Sequence, residues 1–169
     1  MIKQQLLSTG LALLLASSLP FTALADTTDT TVSIRDGSDH TIGSIDYTNT
    51  NYALDVHGNG TNVTVDGNVK SDNGYGITAG DNSTTTVKGD LSANRVAINA
   101  GGEAEVTIDG DVRGTGSTSN TIEVGGKTDI TVKGDVIAED TSAIRTDQEA
   151  NVTVDGSIKA GNGGISAWG

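Results

Sequence analysis

Val63-Thr64-Val65-Asp66-Gly67-Asn68-Val69 opens a pattern that the chain writes five times. It returns as Thr85-Thr86-Val87-Lys88-Gly89-Asp90-Leu91 and as Val106-Thr107-Ile108-Asp109-Gly110-Asp111-Val112. Two further copies are Ile130-Thr131-Val132-Lys133-Gly134-Asp135-Val136 and Val152-Thr153-Val154-Asp155-Gly156-Ser157-Ile158. The glycines step by 22, 21, 24 and 22 residues. A second motif keeps phase with the first: Ala53-Leu54-Asp55-Val56, Gly76-Ile77-Thr78-Ala79, Ala97-Ile98-Asn99-Ala100, Thr121-Ile122-Glu123-Val124, Ala143-Ile144-Arg145-Thr146 and Gly164-Ile165-Ser166-Ala167. Two motifs in step over five or six copies mark a repeat architecture, in which each copy is one unit stacked on its neighbours.

Within the motif the period is two. Val63, Val65, Gly67, Val69 and Ser71 fall on one face, and Thr64, Asp66, Asn68 and Lys70 on the other. That alternation is a half-buried β-strand. Glycine inside a strand pattern marks a bend, so each run reads as two short strands joined at a corner. The inward position beyond the last aliphatic is always small (Ser71, Ala93, Gly114, Ala138, Ala160), as a corner with little room demands. The Ile-x-Ala motif supplies a third strand, and stretches such as Gly80-Asp81-Asn82-Ser83 and Gly161-Asn162-Gly163 make corners. One coil cannot bury its own valines. Stacking at roughly 4.8 Å pairs every strand with its copies above and below, and six coils make a rod of about 29 Å. The fold expected is all-β: a parallel β-solenoid of about six coils with a repeat of about 22 residues.

The outer columns agree with in-register stacking. The residue before each corner glycine is Asp66, Lys88, Asp109, Lys133 or Asp155, so the sign alternates coil by coil. Alternation avoids repulsion between nearest neighbours on a parallel sheet. The threonine column Thr64, Thr86, Thr107, Thr131 and Thr153 suits β-branched packing on a strand surface. Two residues fit badly: Thr85 puts a hydroxyl inside, and Ile137 puts an aliphatic group outside.

The start of the chain reads differently. Met1-Ile2-Lys3, an apolar run from Leu6 to Leu19, Pro20 and Ala23-Leu24-Ala25 make a secretory signal peptide over 1–25. Residues 26–52 read as a degenerate first coil or N-terminal cap, in which Val32-Ser33-Ile34 and Ile42-Gly43-Ser44-Ile45 echo the main motif. The solenoid repeats occupy 53–169 and stop in mid-coil, with Trp168 a candidate plug unless the chain is a piece of a longer protein. The expected address is export by the general secretory route to the cell surface or medium, or the periplasm. No membrane insertion is expected once the signal is removed.

The net charge is −12. Loss of 1–25 removes Lys3 and no acid. Phosphate backbones are repelled by such a chain, which excludes a nucleic-acid partner. There is no cysteine, hence no thiolate metal site or thiol nucleophile.

The recurring Val-Thr-Val-x-Gly-Asp-Val with Ala-Ile-x-Ala, over 53–167, resembles the strand repeats of bacterial autotransporter adhesin passengers. That resemblance implies a right-handed parallel β-helix displayed at the cell surface, mediating adhesion or self-association. No translocator barrel or wall-anchoring motif accompanies it here, and no functional residue carries over.

Candidate chemistry is sparse. His40 and His57 lack metal-ligand spacing and read as surface or corner residues. Asp90, Asp111 and Asp135 form a like-charge column; calcium is one reading, but solvated corner acids relieved by Lys70, Arg113 and Lys159 is the one favoured. No catalytic, cofactor or metal residue is assigned. Polysaccharide-cleaving β-helix enzymes need inserted loops that these short coils lack. Ice binding wants an uncharged array, whereas the threonines are flanked by Asp and Lys. The expectation is therefore a non-enzymatic rod whose partner is a surface glycan, a protein or another copy. The rival is a curli-type amyloid subunit, against which stands Gln148 as the one glutamine beyond the signal.

Overall fold

The computed structural model describes residues 22–23, 27–147 and 149–168. The expected signal peptide lies outside them, apart from Thr22–Ala23, and so does Gln148. The described chain is all-β and winds as a parallel β-solenoid with three faces, each a seven-stranded sheet.

The first sheet stacks the strands Thr22–Ala23, Asp39–Ile42, Asn62–Val65, Thr84–Val87, Glu105–Ile108, Asp129–Val132 and Asn151–Val154. The second stacks Thr27–Thr28, Ile45–Tyr47, Val69–Ser71, Leu91–Ala93, Val112–Gly114, Val136–Ala138 and Ile158–Ala160. The third stacks Val32–Ile34, Tyr52–Val56, Tyr75–Ala79, Ile98–Ala100, Ile122–Val124, Ser142–Asp147 and Gly163–Trp168. Every pairing is parallel and joins equivalent residues of successive coils: Thr86 lies between Thr64 and Thr107, and Ile98 between Ile77 and Ile122. The three-strand coil, the corner at the glycine and the Ile-x-Ala strand are as the repeat dictates.

The interior is a set of columns. Val63, Val106 and Ile130 line the first sheet, Val69, Leu91, Val112 and Val136 the second, and Leu54, Ile77, Ile98, Ile122 and Ile144 the third. Stacking of like on like removes these side chains from water, which is the main favourable term for a chain with so few rings. Space is tight where the small column runs. A Cβ added to Gly114 would overlap the Thr121 hydroxyl. Thr85 is fully buried and its hydroxyl has no partner among the described residues, while Ile137 is half-exposed on the outer face.

Two readings of the flanks change. Val32-Ser33-Ile34 does not repeat the Val-Thr-Val strand: it pairs with Leu54-Asp55-Val56 in the third sheet, so its inward residues continue the isoleucine column. Ile42 and Ile45 hold the two sides of the corner in the second coil, in register with Val65 and Val69. At the other end Trp168 does not plug the rod. It pairs with Asp147 on the outward phase and is 66% exposed, because the strand alternation that turns Ile165 inward turns Trp168 out.

Candidate functional site

The corner glycines set the geometry of everything around them. Gly89 N–H donates to Gly67 O at 3.1 Å, Gly110 N–H to Gly89 O at 3.1 Å, and Gly134 N–H to Gly110 O at 3.2 Å. The residue after each glycine then reaches one coil up with its side chain. Ser44 Oγ accepts the Asn68 N–H at 3.2 Å, and Asn68 Oδ1 accepts the Asp90 N–H at 2.8 Å. Asp90 Oδ1 accepts from Asp111 N–H at 2.9 Å, Asp111 Oδ1 from Asp135 N–H at 2.8 Å, and Asp135 Oδ1 from Ser157 N–H at 2.8 Å. Each carboxylate occupies the space a Cβ on the next glycine would need: at Gly110 that Cβ would overlap Asp90 Oδ1 and stand 2.7 Å from Gly89 O. The glycine is required by the ladder, a reason that periodicity alone does not show.

The Asp90, Asp111 and Asp135 column is thus a hydrogen-bond ladder of acids, the first two exposed and Asp135 half-buried. The expected cation partners are only partly in place. Lys159 Nζ meets Asp135 Oδ2 at 2.7 Å. Arg113 instead pairs with Glu139, and Lys70 with Asp72 at 2.8 Å, because those acids flank them on the same outer surface. The Lys159 ammonium and the Ser157 N–H hold the Asp135 carboxyl below its ordinary value. Among the described residues no group of three or more His, Cys, Asp or Glu is placed to hold a metal ion.

The first sheet presents three outward columns. One is Asp39, Asn62, Thr84, Glu105, Asp129 and Asn151; the next is the threonine column, now extended by Thr41; the third is the alternating charge column. Lys88 Nζ lies 2.7 Å from Asp66 Oδ1 and Lys133 Nζ 2.8 Å from Asp109 Oδ1, as the alternation predicts. Hydrogen bonding to those carboxylates raises both lysines above their ordinary range. Amides brace the first column: Asn62 Nδ2 donates to Asp39 Oδ1 at 2.7 Å, and Asn151 Nδ2 to Asp129 Oδ1 at 2.9 Å.

The histidines separate. His40 is not a surface residue. It sits at the inward register of Val63, buried, with Nε2 2.9 Å from Asp36 Oδ1, so a carboxylate from the adjoining corner satisfies it. His57 is partly exposed and lies between two acids, Nε2 3.3 Å from Asp55 Oδ1 and Nδ1 3.2 Å from Asp81 Oδ2. The two ring nitrogens face different carboxylates, so they converge on no common metal position.

No known protein family, curated protein or solved structure matches the chain. One surface feature escaped the repeat reading: Tyr52 and Tyr75 stack at 4.8 Å between ring centroids, with the Arg95 guanidinium 5.4 Å over Tyr75. Their equal place before two Ile-x-Ala-type strands was the available signal. No described helix is long and apolar enough to cross a membrane.

Proposed function

We propose that this chain is an exported, non-enzymatic rod of the adhesin-passenger type, acting by adhesion to a surface glycan or protein or by association with its own kind. The observation that carries the reading is the outer face of the first sheet, where three polar columns repeat in register along the rod. A face of that kind offers many identical weak contacts, and repetition turns weak contacts into avidity. The alternating Asp and Lys column adds direction. Two rods laid side by side and offset by one coil bring each Lys opposite an Asp, an exposed pairing that salt weakens.

Expression of the chain on a non-clumping bacterial strain tests this. Cells are expected to clump or to be retained on a surface, less so at high salt and less so again with Lys88→Asp and Lys133→Asp together. Cells that neither clump nor adhere would remove the proposal. Export itself predicts a secreted product whose mass begins at Asp26.

A filament subunit is the second reading, favoured by one observation. Ile158 and Ile165, at inward register positions, are 37% and 61% exposed on the last described coil, whose three strands have a partner on one edge only among the described residues. Such an edge is a template for another strand. Thioflavin-positive fibres from purified protein would support this reading, and a persistent monomer would oppose it.

A further inference from the structure

We propose that the outer face of the second sheet holds a binding groove for a neutral glycan chain. The outward column of that sheet runs Asp46, Lys70, Ser92, Arg113, Ile137 and Lys159, the last paired with Asp135. Ser92 is the short side chain between two long cationic ones, so the surface dips there. The ladder acids Asp90 and Asp111 line the same depression, an open one of about 470 Å³. Binding sites for small ligands fall between about 300 and 1,000 Å³. From Asp46 to Ile137 the groove crosses five stacked strands, about 19 Å at the parallel-strand spacing. A linear chain lying along the rod axis matches that shape.

The chemistry selects the ligand. Asp90 and Asp111 each commit Oδ1 to a backbone N–H of the next coil, and among the described residues nothing bonds to their Oδ2. These are rigidly held acceptors for sugar hydroxyls, and hydrogen bonds to ionised groups are the stronger kind. Lys70 and Arg113 are tied down by Asp72 and Glu139, which fixes their donors and balances their charge locally. Ile137, the aliphatic residue that the repeat pattern places outside, gives the C–H face of a sugar ring something apolar to cover. A uronate or sulfated glycan would meet the two free carboxylate oxygens and a chain of net charge −12. This groove lies on a different sheet from the face that carries the adhesive reading, so either can fail alone.

Titration calorimetry on the purified chain tests it with maltohexaose, cellohexaose and chitohexaose, and with hexagalacturonate as the anionic control. Saturable binding of at least one neutral oligosaccharide is expected, with hexagalacturonate at least about tenfold weaker. Ser92→Arg fills the dip and should abolish binding. Asp90→Asn and Asp111→Asn keep the Oδ1 acceptor, as Asn68 does naturally, so they should weaken binding about tenfold without moving the melting temperature. Silence with all three neutral sugars, affinity untouched by Ser92→Arg, or equal binding of hexagalacturonate would each overturn the proposal.

Discussion

Gly110 and Gly125 belong to the same coil and answer to different constraints. A methyl group at Gly110 collides with the Asp90 carboxylate and the Gly89 carbonyl, both part of the stacked corner. Nothing stands within 4 Å of a Cβ at Gly125. Gly110→Ala should therefore cost about 1–3 kcal/mol by forcing the ladder apart. Gly125→Ala should be neutral or stabilise by up to about 1 kcal/mol, through the unfolded chain. Equal urea midpoints for the two variants would refute the steric account of the corner. Thr85 supplies a test with the opposite sign. It lies fully buried between Val63 and Val106, and its hydroxyl has no partner among the described residues. Thr85→Val keeps the shape and removes a desolvated polar group, so its urea midpoint should rise, by about 1 kcal/mol in stability.

At the scale of the corner element, the ladder makes a chemical ranking. Position 111 has to present an acceptor to the Asp135 N–H. Asp111→Ala loses it and should cost about 1 kcal/mol, while Asp111→Asn should be close to wild type, because Asn68 and Ser44 fill the same role below. The acid limb of stability follows from Asp135. Its carboxyl is held below the ordinary 3.8 by Lys159 and Ser157, so its contribution is complete above that value and is lost as pH falls through the lower, folded-state value. The melting temperature should fall below pH 3.8, and Asp135→Asn should flatten that fall. An identical acid limb in the variant would assign it to other carboxylates, Asp36 beside His40 foremost. The repeat made the strands, the corner and the charge column legible, since each depends on side-chain character at a fixed spacing. The Asp90, Asp111 and Asp135 column was legible too, but not the ladder it builds, because those bonds run from side chain to backbone and side-chain spacing does not report them. The repeat also hid His40 and Tyr47, which occupy inward positions of the second coil, where Tyr47 fills the place that Ser71 and Ala93 keep small. The partners of Lys70 and Arg113 were missed because Asp72 and Glu139 lie in corners of varying length.

Across the whole rod, each coil touches only the coils above and below, so stability is a sum of coil terms and interface terms. A coil with one neighbour must then be the weakest. Val152 and Val154 are half-buried and Ile158 and Ile165 exposed, whereas their counterparts one coil down, Ile130, Val132, Val136 and Ile144, are buried. Hydrogen exchange should reflect this order, fastest in the amides of 151–168 and slowest in the strands Thr84–Val87 and Glu105–Ile108. The same argument separates two chemically identical substitutions. Val106→Ala opens a cavity beneath coils on both sides and should cost about 2–3 kcal/mol, while Val152→Ala, already open to water, should cost below about 1 kcal/mol. If the last coil instead exchanged as slowly as the middle and Val152→Ala cost as much as Val106→Ala, the rod would unfold as a single unit. Its end coil would then be covered in solution by something that seats on Ile158 and Ile165, which is the condition the filament reading requires.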